Sequence, residues 1–163
     1  MDVQLRQAET HQLAEILPLV AAYHAFEHIP SSAATRESAV TQLLGDHRLG
    51  GLWLVEAGAE TAGYIALCRG FSIEFNGFDA FVDEFFLLPG FRGRGIGKVV
   101  LTEIERLAGA LDINALHLEV ARDNQPARKL YASAGFQARE KYLLMSRSVD
   151  AMPASNSLED SNQ

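Results

Sequence analysis

The amino-acid sequence predicts an α/β (α+β) domain in which helices cover a mixed β-sheet. Two observations carry this expectation. Strand and helix patterns alternate in the order βααβββαβαβ, and a glycine-rich loop joins a strand to a helix in the second half of the chain. The length, 163 residues, suits one compact domain with a core of its own.

The elements follow in order. Val3 and Leu5 suggest a first strand. Thr10 is a candidate cap for a helix that carries Leu13, Ile16, Leu17 and Val20 on one face. A second helical pattern runs from about Thr35, with Ala39, Val40, Leu43 and Leu44 apolar, until Gly50-Gly51 breaks it. Leu52 to Val55 reads as a strand, Gly58-Ala59-Glu60 as a turn, and Ala62 to Phe71 as the hairpin partner. Phe78 to Leu88 is the next strand and ends at Pro89. A helix is expected from Gly95 to Ala110, a buried strand from Ala115 to Ala121, and a helix from Asn124 to Ala134 closed by Gly135. Phe136 to Arg147 completes the pattern as a last strand. Residues 1–149 therefore form a single domain. Residues 150–163 are polar, aperiodic and carry Pro153, as expected of a disordered tail.

Composition narrows the function classes. The net charge of −7 argues against nucleic acid as a bulk partner, since phosphate backbones select basic faces. It suits a cationic substrate, although a solvated acidic surface explains it equally. No apolar run reaches the ~18 residues of a membrane span, and the first residues lack a signal-peptide core, so the expected location is the cytoplasm. The single cysteine, Cys68, lies in an apolar stretch and reads as a small core residue. His24, His28 and His117 show no metal-ligand spacing, and no metal is expected.

The loop Arg92-Gly93-Arg94-Gly95-Ile96-Gly97-Lys98 carries the chemistry. The first turn of a helix presents N–H groups without intrahelical partners, together with the positive end of its dipole, and binds phosphate. Three glycines permit close approach, and Arg92, Arg94 and Lys98 add charge. The spacing fits neither a nucleoside-triphosphate loop nor a dinucleotide fingerprint. A loop that merely packs a helix closely on a sheet remains the alternative on spacing alone.

A second motif lies downstream. Asp123-Asn124-Gln125-Pro126-Ala127-Arg128-Lys129-Leu130-Tyr131 is followed by Ala134-Gly135-Phe136. With the loop's R-x-x-G-x-G pattern, residues Phe81 to Arg147 resemble the GNAT superfamily of N-acetyltransferases, over about two fifths of the chain. The N-terminal part agrees in element order only. The resemblance implies a mostly antiparallel central sheet with two splayed parallel strands, and acetyl-CoA (coenzyme A) held between them. It places the backbone of Phe86, Leu87 and Leu88 against the pantetheine arm. The loop, Arg92 to Lys98, would hold the pyrophosphate, with Asn124 and Lys129 as further contacts. It also implies a possible homodimer, to which Phe136 to Met145 would contribute.

The implied reaction is attack of a primary amine on a thioester. Such an amine has a pKa of about 10.4 and arrives protonated, so a base is required. Glu84 is the leading candidate: the family often carries a glutamate on this strand. Strand alternation sets Glu84 in phase with Val82 and Phe86, and Asp83 with Phe81 and Phe85, so only one of the two carboxylates is expected to face the acceptor. Glu119 is the second choice. Tyr131 is the implied acid for the departing thiolate, and a packed aromatic otherwise. On the acceptor side, Glu27 and His28 end the first helical region. Glu74, Phe75, Phe78 and Asp79 flank the Asn76-Gly77 turn, where acids would attract an ammonium group between aromatic walls. A non-catalytic acyl-CoA sensor and a nucleotide-binding regulatory module are the competing readings.

Overall fold

The computed structural model describes residues 2–149. Five strands form one sheet in the order β1-β2-β3-β4-β5. They are β1 (Val3–Gln7), β2 (Gly50–Ala57), β3 (Glu60–Ser72), β4 (Gly77–Leu87) and β5 (Ile113–Leu118). All neighbours pair antiparallel except β4 and β5, which run parallel. Helices α1 (Leu13–Phe26), α2 (Ala33–Gly45), α3 (Ile96–Ala110) and α4 (Gln125–Ser133) complete the domain.

Strand alternation builds two cores. Trp53, Val55, Ile65, Leu67, Ala80 and Val82 face Val100 and Ile104 of α3. Leu52, Leu54, Tyr64, Ala66 and Phe86 face Ile16, Leu19 and Val20 of α1 and Val40 and Leu44 of α2. Ile16, Leu54, Ile65, Val100 and Ile104 are fully buried, and each such side chain contributes on the order of 1.5–3 kcal/mol relative to exposure.

Local signals position the elements with small corrections. Helix α2 starts at Ala33, two residues before Thr35, and Ser32 caps it by accepting from the Thr35 N–H at 3.0 Å. Thr10 opens a short 3-10 turn before α1; there Glu9 and Gln12 cap each other reciprocally. Gly50-Gly51 starts β2 rather than separating it from α2. Asn76 and Gly77 take positive φ, 55° and 154°, and turn β3 into β4.

The expected last strand does not form: residues 136–149 have no regular structure. The outer edge of β5 has no partner among the described residues. A strand needs a ladder as well as a propensity. Here Arg139 is bound to Glu74 at 2.7 Å, and the Tyr142 N–H turns back to the Arg139 carbonyl at 2.9 Å. These contacts hold the segment off the edge, leaving Tyr142, Leu143, Leu144 and Met145 exposed. Residues 150–163, expected as a disordered tail, lie outside the described residues.

Candidate active site

The site begins where β4 and β5 part. Their parallel pairing ends at Val82–Leu118, while β4 continues to Leu87. Beyond that point one edge of β4 has no strand neighbour among the described residues. The Leu88 N–H donates to Ala62 on the β3 side at 2.8 Å, and the Phe86 carbonyl also turns to β3, against Gly63. Backbone polarity alternates along a strand, so Phe85 and Leu87 offer their groups to the open wedge, and Phe86 and Leu88 do not. The Leu87 carbonyl is already taken by the Arg92 Nε–H at 2.7 Å.

The glycine loop closes the wide end of the wedge. Gly93 and Gly95 have φ of 70° and 80°, with nothing near where a Cβ would stand. The Lys98 and Val99 N–H groups donate to the Gly95 carbonyl, whereas those of Gly93 to Gly97 have no partner among the described residues. This row of free donors at the start of a 15-residue helix fits a pyrophosphate. The charged side chains divide. Arg92 lies over the rings of Phe26 and Phe86, with its Cζ 4.7 and 5.1 Å from their centroids, and ties α1 to the loop. Arg94 leans on Phe91 and the Gly90 carbonyl. Gly97 has a different task from its neighbours: a Cβ there would meet Leu130 Cδ2 at 2.8 Å, so its absence lets α4 close on α3. On α4, the Asn124 Oδ1 accepts from the Ala127 N–H at 3.2 Å as a cap, which leaves its amide nitrogen free, and Lys129 is exposed.

The bulge in β4 overturns the expected facing of the two acids. Ala66 pairs with Glu84 and Leu67 with Val82, so Asp83 is the extra residue of a β-bulge. The bulge reverses the phase of the strand. Val82 packs with the α3 core, whereas Glu84 and Phe86 lie on the α1–α2 side, and Asp83 joins them there. Both carboxylates therefore line one cavity of about 480 Å³ between the sheet and helices α1 and α2.

Glu84 is tightly held. Its Oε1 lies 2.6 Å from His24 Nε2 and its Oε2 accepts from the Tyr64 hydroxyl at 2.7 Å. His24 Nδ1 meets Ser31 Oγ at 2.6 Å, and Arg36 Nη1 donates to the same Oγ at 3.0 Å and to the Ser31 carbonyl at 2.8 Å. Arginine only donates, so Ser31 Oγ accepts from Arg36. Ser31 Oγ and His24 Nδ1 share the next hydrogen bond, and His24 Nε2 and Glu84 Oε1 the last. The carboxylate, Tyr64 and His24 are largely shielded: the Glu84 and His24 side chains are 18% and 14% exposed, and Tyr64 is fully buried.

Asp83 is the freer acid. The residue as a whole is exposed, yet the carboxyl's pKa is raised, first by burial and then by Glu84 and Glu119. Cys68 is half-buried beside it and lines the cavity, so it belongs to the site rather than the core. Burial, and then Asp83 and Glu84, push its thiol up to about 11, which keeps it protonated and inert. Tyr131 packs edge-on against Phe136 at 5.9 Å. Its pKa is raised by burial and then by Glu27, which sits at the end of α1.

The residues flanking the Asn76-Gly77 turn form a separate group. Glu74 is neutralised by Arg139 at 2.7 Å. Asp79 lies 3.3 Å from His117 Nε2, and Phe75 packs edge-on to the same imidazole at 5.0 Å. Phe78 is covered by the Arg69 guanidinium at 3.8 Å. Glu74 already has a cationic partner in Arg139, and Asp79 has the His117 imidazole beside it. Sequence reasoning missed His24 as a partner of Glu84, and with it Ser31, Arg36 and Tyr64. These residues are up to 60 positions apart from their partners, and no local pattern links them.

Residues 14–136 match the family model described as Acetyltransferase (GNAT) family. Over 71 residues the chain is 38% identical to YycN of Bacillus subtilis (strain 168), an uncharacterized N-acetyltransferase; the stretch spans 44% of each chain, less than half of that relative. It is 27% identical to YhfO of the same organism, another uncharacterized N-acetyltransferase, over 83% of this chain and 90% of the relative. An integron cassette protein from the mobile metagenome of Cole Harbour Salt Marsh, HFX_CASS3, superposes with a TM-score of 0.79 at 30% identity, covering 91% of this chain and 92% of that one. An acetyltransferase from Clostridium acetobutylicum, solved with acetyl-CoA, superposes at 0.71 with 16% identity over 89% and 96%, a likeness of fold alone.

Proposed function

The chain belongs to the GNAT acetyltransferase family, and from that premise we propose that it transfers an acetyl group from acetyl-CoA to a primary amine, with Glu84 as base and Tyr131 as acid. The observation that carries this reading is the position of the acids. The bulge that sets Asp83 and Glu84 side by side lies where β4 leaves β5, at the narrow end of the wedge whose wide end holds the free N–H groups.

Acetyl-CoA supplies the acetyl group as a thioester, a form open to attack by a neutral amine. Free N–H groups of Gly93 to Gly97 would hold its pyrophosphate, with Lys98 and Lys129 as cations and the Asn124 amide as a further donor. Leu87 and Phe85 would offer backbone groups to the pantetheine arm. Glu84 takes the proton that the amine must lose before or during attack. His24, bound to Glu84 at 2.6 Å, keeps that carboxylate oriented. The C–N bond forms as the C–S bond breaks, and Tyr131 holds on its hydroxyl a proton for the departing sulfur. Its raised pKa keeps that proton in place at neutral pH.

The exposed run Tyr142 to Met145, beside the unpaired edge of β5, supports a homodimer, since an exposed apolar patch and an open edge both favour a partner. Light scattering would return twice the chain mass, and the chain mass would refute it.

Thiol release from acetyl-CoA, followed with a panel of amines, tests the transferase reading. Amine-dependent release supports it. Tight coenzyme A binding without release for any amine would instead make the protein a sensor.

A further inference from the structure

The cavity beside Asp83 and Glu84 has a composition that narrows the acceptor. Its lining is largely apolar, with Val20, Val40, Leu43 and Leu52 from α1, α2 and β2 and Leu49 from the turn before β2, and it also carries Gln42 and Arg69. The two acids and His24 line it as well. Arg36, from the first turns of α2, also lines it. One branch of its guanidinium is anchored: Nη1 donates to Ser31, through both the carbonyl and Oγ. Its Nε and Nη2 have no partner among the described residues. An anchored guanidinium with an unused fork is built to accept a carboxylate. A purely cationic amine gains nothing from such a group and is repelled by it.

Arg36 and Glu84 are joined through one hydroxyl and one imidazole by contacts of 3.0, 2.6 and 2.6 Å. That chain keeps the two groups close enough for one small molecule that carries both an amine and a carboxylate. Its amine would face the acids at the start of the wedge and its carboxylate the free fork of Arg36. The remaining cavity, about 480 Å³ in all, is wide enough for an aliphatic side chain against the apolar walls.

We infer that the acceptor is a free α-amino acid with an apolar side chain, recognised through its carboxylate by Arg36. This rests on the acetyl-transfer reading above and specifies the substrate class of the same site. Arg36 is a specificity residue, and through Ser31 and His24 it also positions Glu84.

The test compares L-leucine, L-leucinamide and 3-methylbutylamine as acceptors, by thiol release from acetyl-CoA. The three share a side chain, and only leucine carries a carboxylate. Leucinamide has the less basic amine, so more of it is neutral at pH 7.5; a preference for leucine cannot come from nucleophile availability. The expected kcat/KM ratio of leucine to leucinamide is about 10 to 100, the worth of one charge-assisted pair. Arg36→Met should bring this ratio near unity, and Arg36→Lys should leave an intermediate value. A purely positioning role for Arg36 would lower both acceptors together and leave the ratio unchanged, which overturns the inference. A wild-type ratio at or below unity also overturns it, without need of a variant. Coenzyme A binding by calorimetry reports that each variant is folded. Release with polyamines or peptides but not leucine would sink the amino-acid reading and leave acetyl transfer standing. No release with any amine, despite coenzyme A binding, would sink both.

Discussion

Replacing Glu84 separates what the carboxylate does for stability from what it does for chemistry. Glu84 accepts from two shielded donors, the Tyr64 hydroxyl at 2.7 Å and His24 at 2.6 Å. Hydrogen bonds to a charged group are worth about 1.5–3 kcal/mol each, so Glu84→Ala, which orphans both donors, should destabilise by about 3–6 kcal/mol. Glu84→Gln keeps the shape. Its carbonyl oxygen still accepts from Tyr64, and its amide can donate to His24 if the imidazole moves its proton to Nδ1 and Ser31 rotates its hydroxyl. The stability cost of this isostere should be on the order of 1 kcal/mol, the charge-assisted part of the two bonds. A general base contributes about 10²–10⁴ in rate, so Glu84→Gln should lose that much kcat/KM at pH 7.5. The loss should shrink for weakly basic acceptors, which are already neutral, and as pH rises toward the pKa of the amine. Thermal melts, coenzyme A calorimetry and initial rates from pH 6 to 9 measure the three quantities. Rates within about threefold of wild type across that range, with unchanged coenzyme A affinity, would refute the assignment of Glu84 as base.

Other outcomes follow from single features of the site. Asp83 binds its proton more tightly in the folded chain than its ordinary value of 3.8, so its ionisation costs stability as pH rises through the raised value. Asp83→Asn should therefore raise the melting temperature at pH 7 and lose that advantage as pH falls toward the ordinary carboxylate range; melts at the two ends decide. Tyr131→Phe should lower kcat by about 10- to 100-fold with little change in coenzyme A affinity, and an unchanged kcat would return Tyr131 to a packing role. The Cys68 thiol, pushed up to about 11, should alkylate slowly at pH 8, and its modification should block acceptor use while coenzyme A still binds. Gly95→Ala should cost about 1–2 kcal/mol from its left-handed backbone alone, since no atom lies near its Cβ position. Gly97→Ala has no such strain; it should act by pushing Leu130, and so α4 with Tyr131, and lower kcat more than stability.

Much of the donor side was legible because its signals are local. The free N–H row depends on glycines at alternate positions and a helix that starts at Ile96, both written in consecutive residues. The Asn124 cap and the Gly135 turn likewise sit beside the elements they end. The acceptor side was not legible for a reason that has a single origin. Alternation predicts opposite faces for Asp83 and Glu84, and it fails because β4 carries one residue more than β3 between the same two partners. That mismatch is a property of the pair of strands and is absent from either strand alone. The strand expected after Gly135 fails in the same way. Its apolar residues are present, but Arg139 is held by Glu74, 65 positions away, and the segment pairs with no strand among the described residues.

By itself the sequence determined the element order through β5 and α4 and the glycine-rich loop that joins β4 to α3. These follow from hydrophobic period, turn residues and caps, which act over a few residues. Tertiary structure alone decided which atoms meet: the bulge that turns both acids to one cavity, the Arg36–Ser31–His24–Glu84 chain, and the splay of β4 from β5. Each of these depends on register between strands or on side chains from separate elements. Such contacts come into existence only when the sheet and its helices have packed.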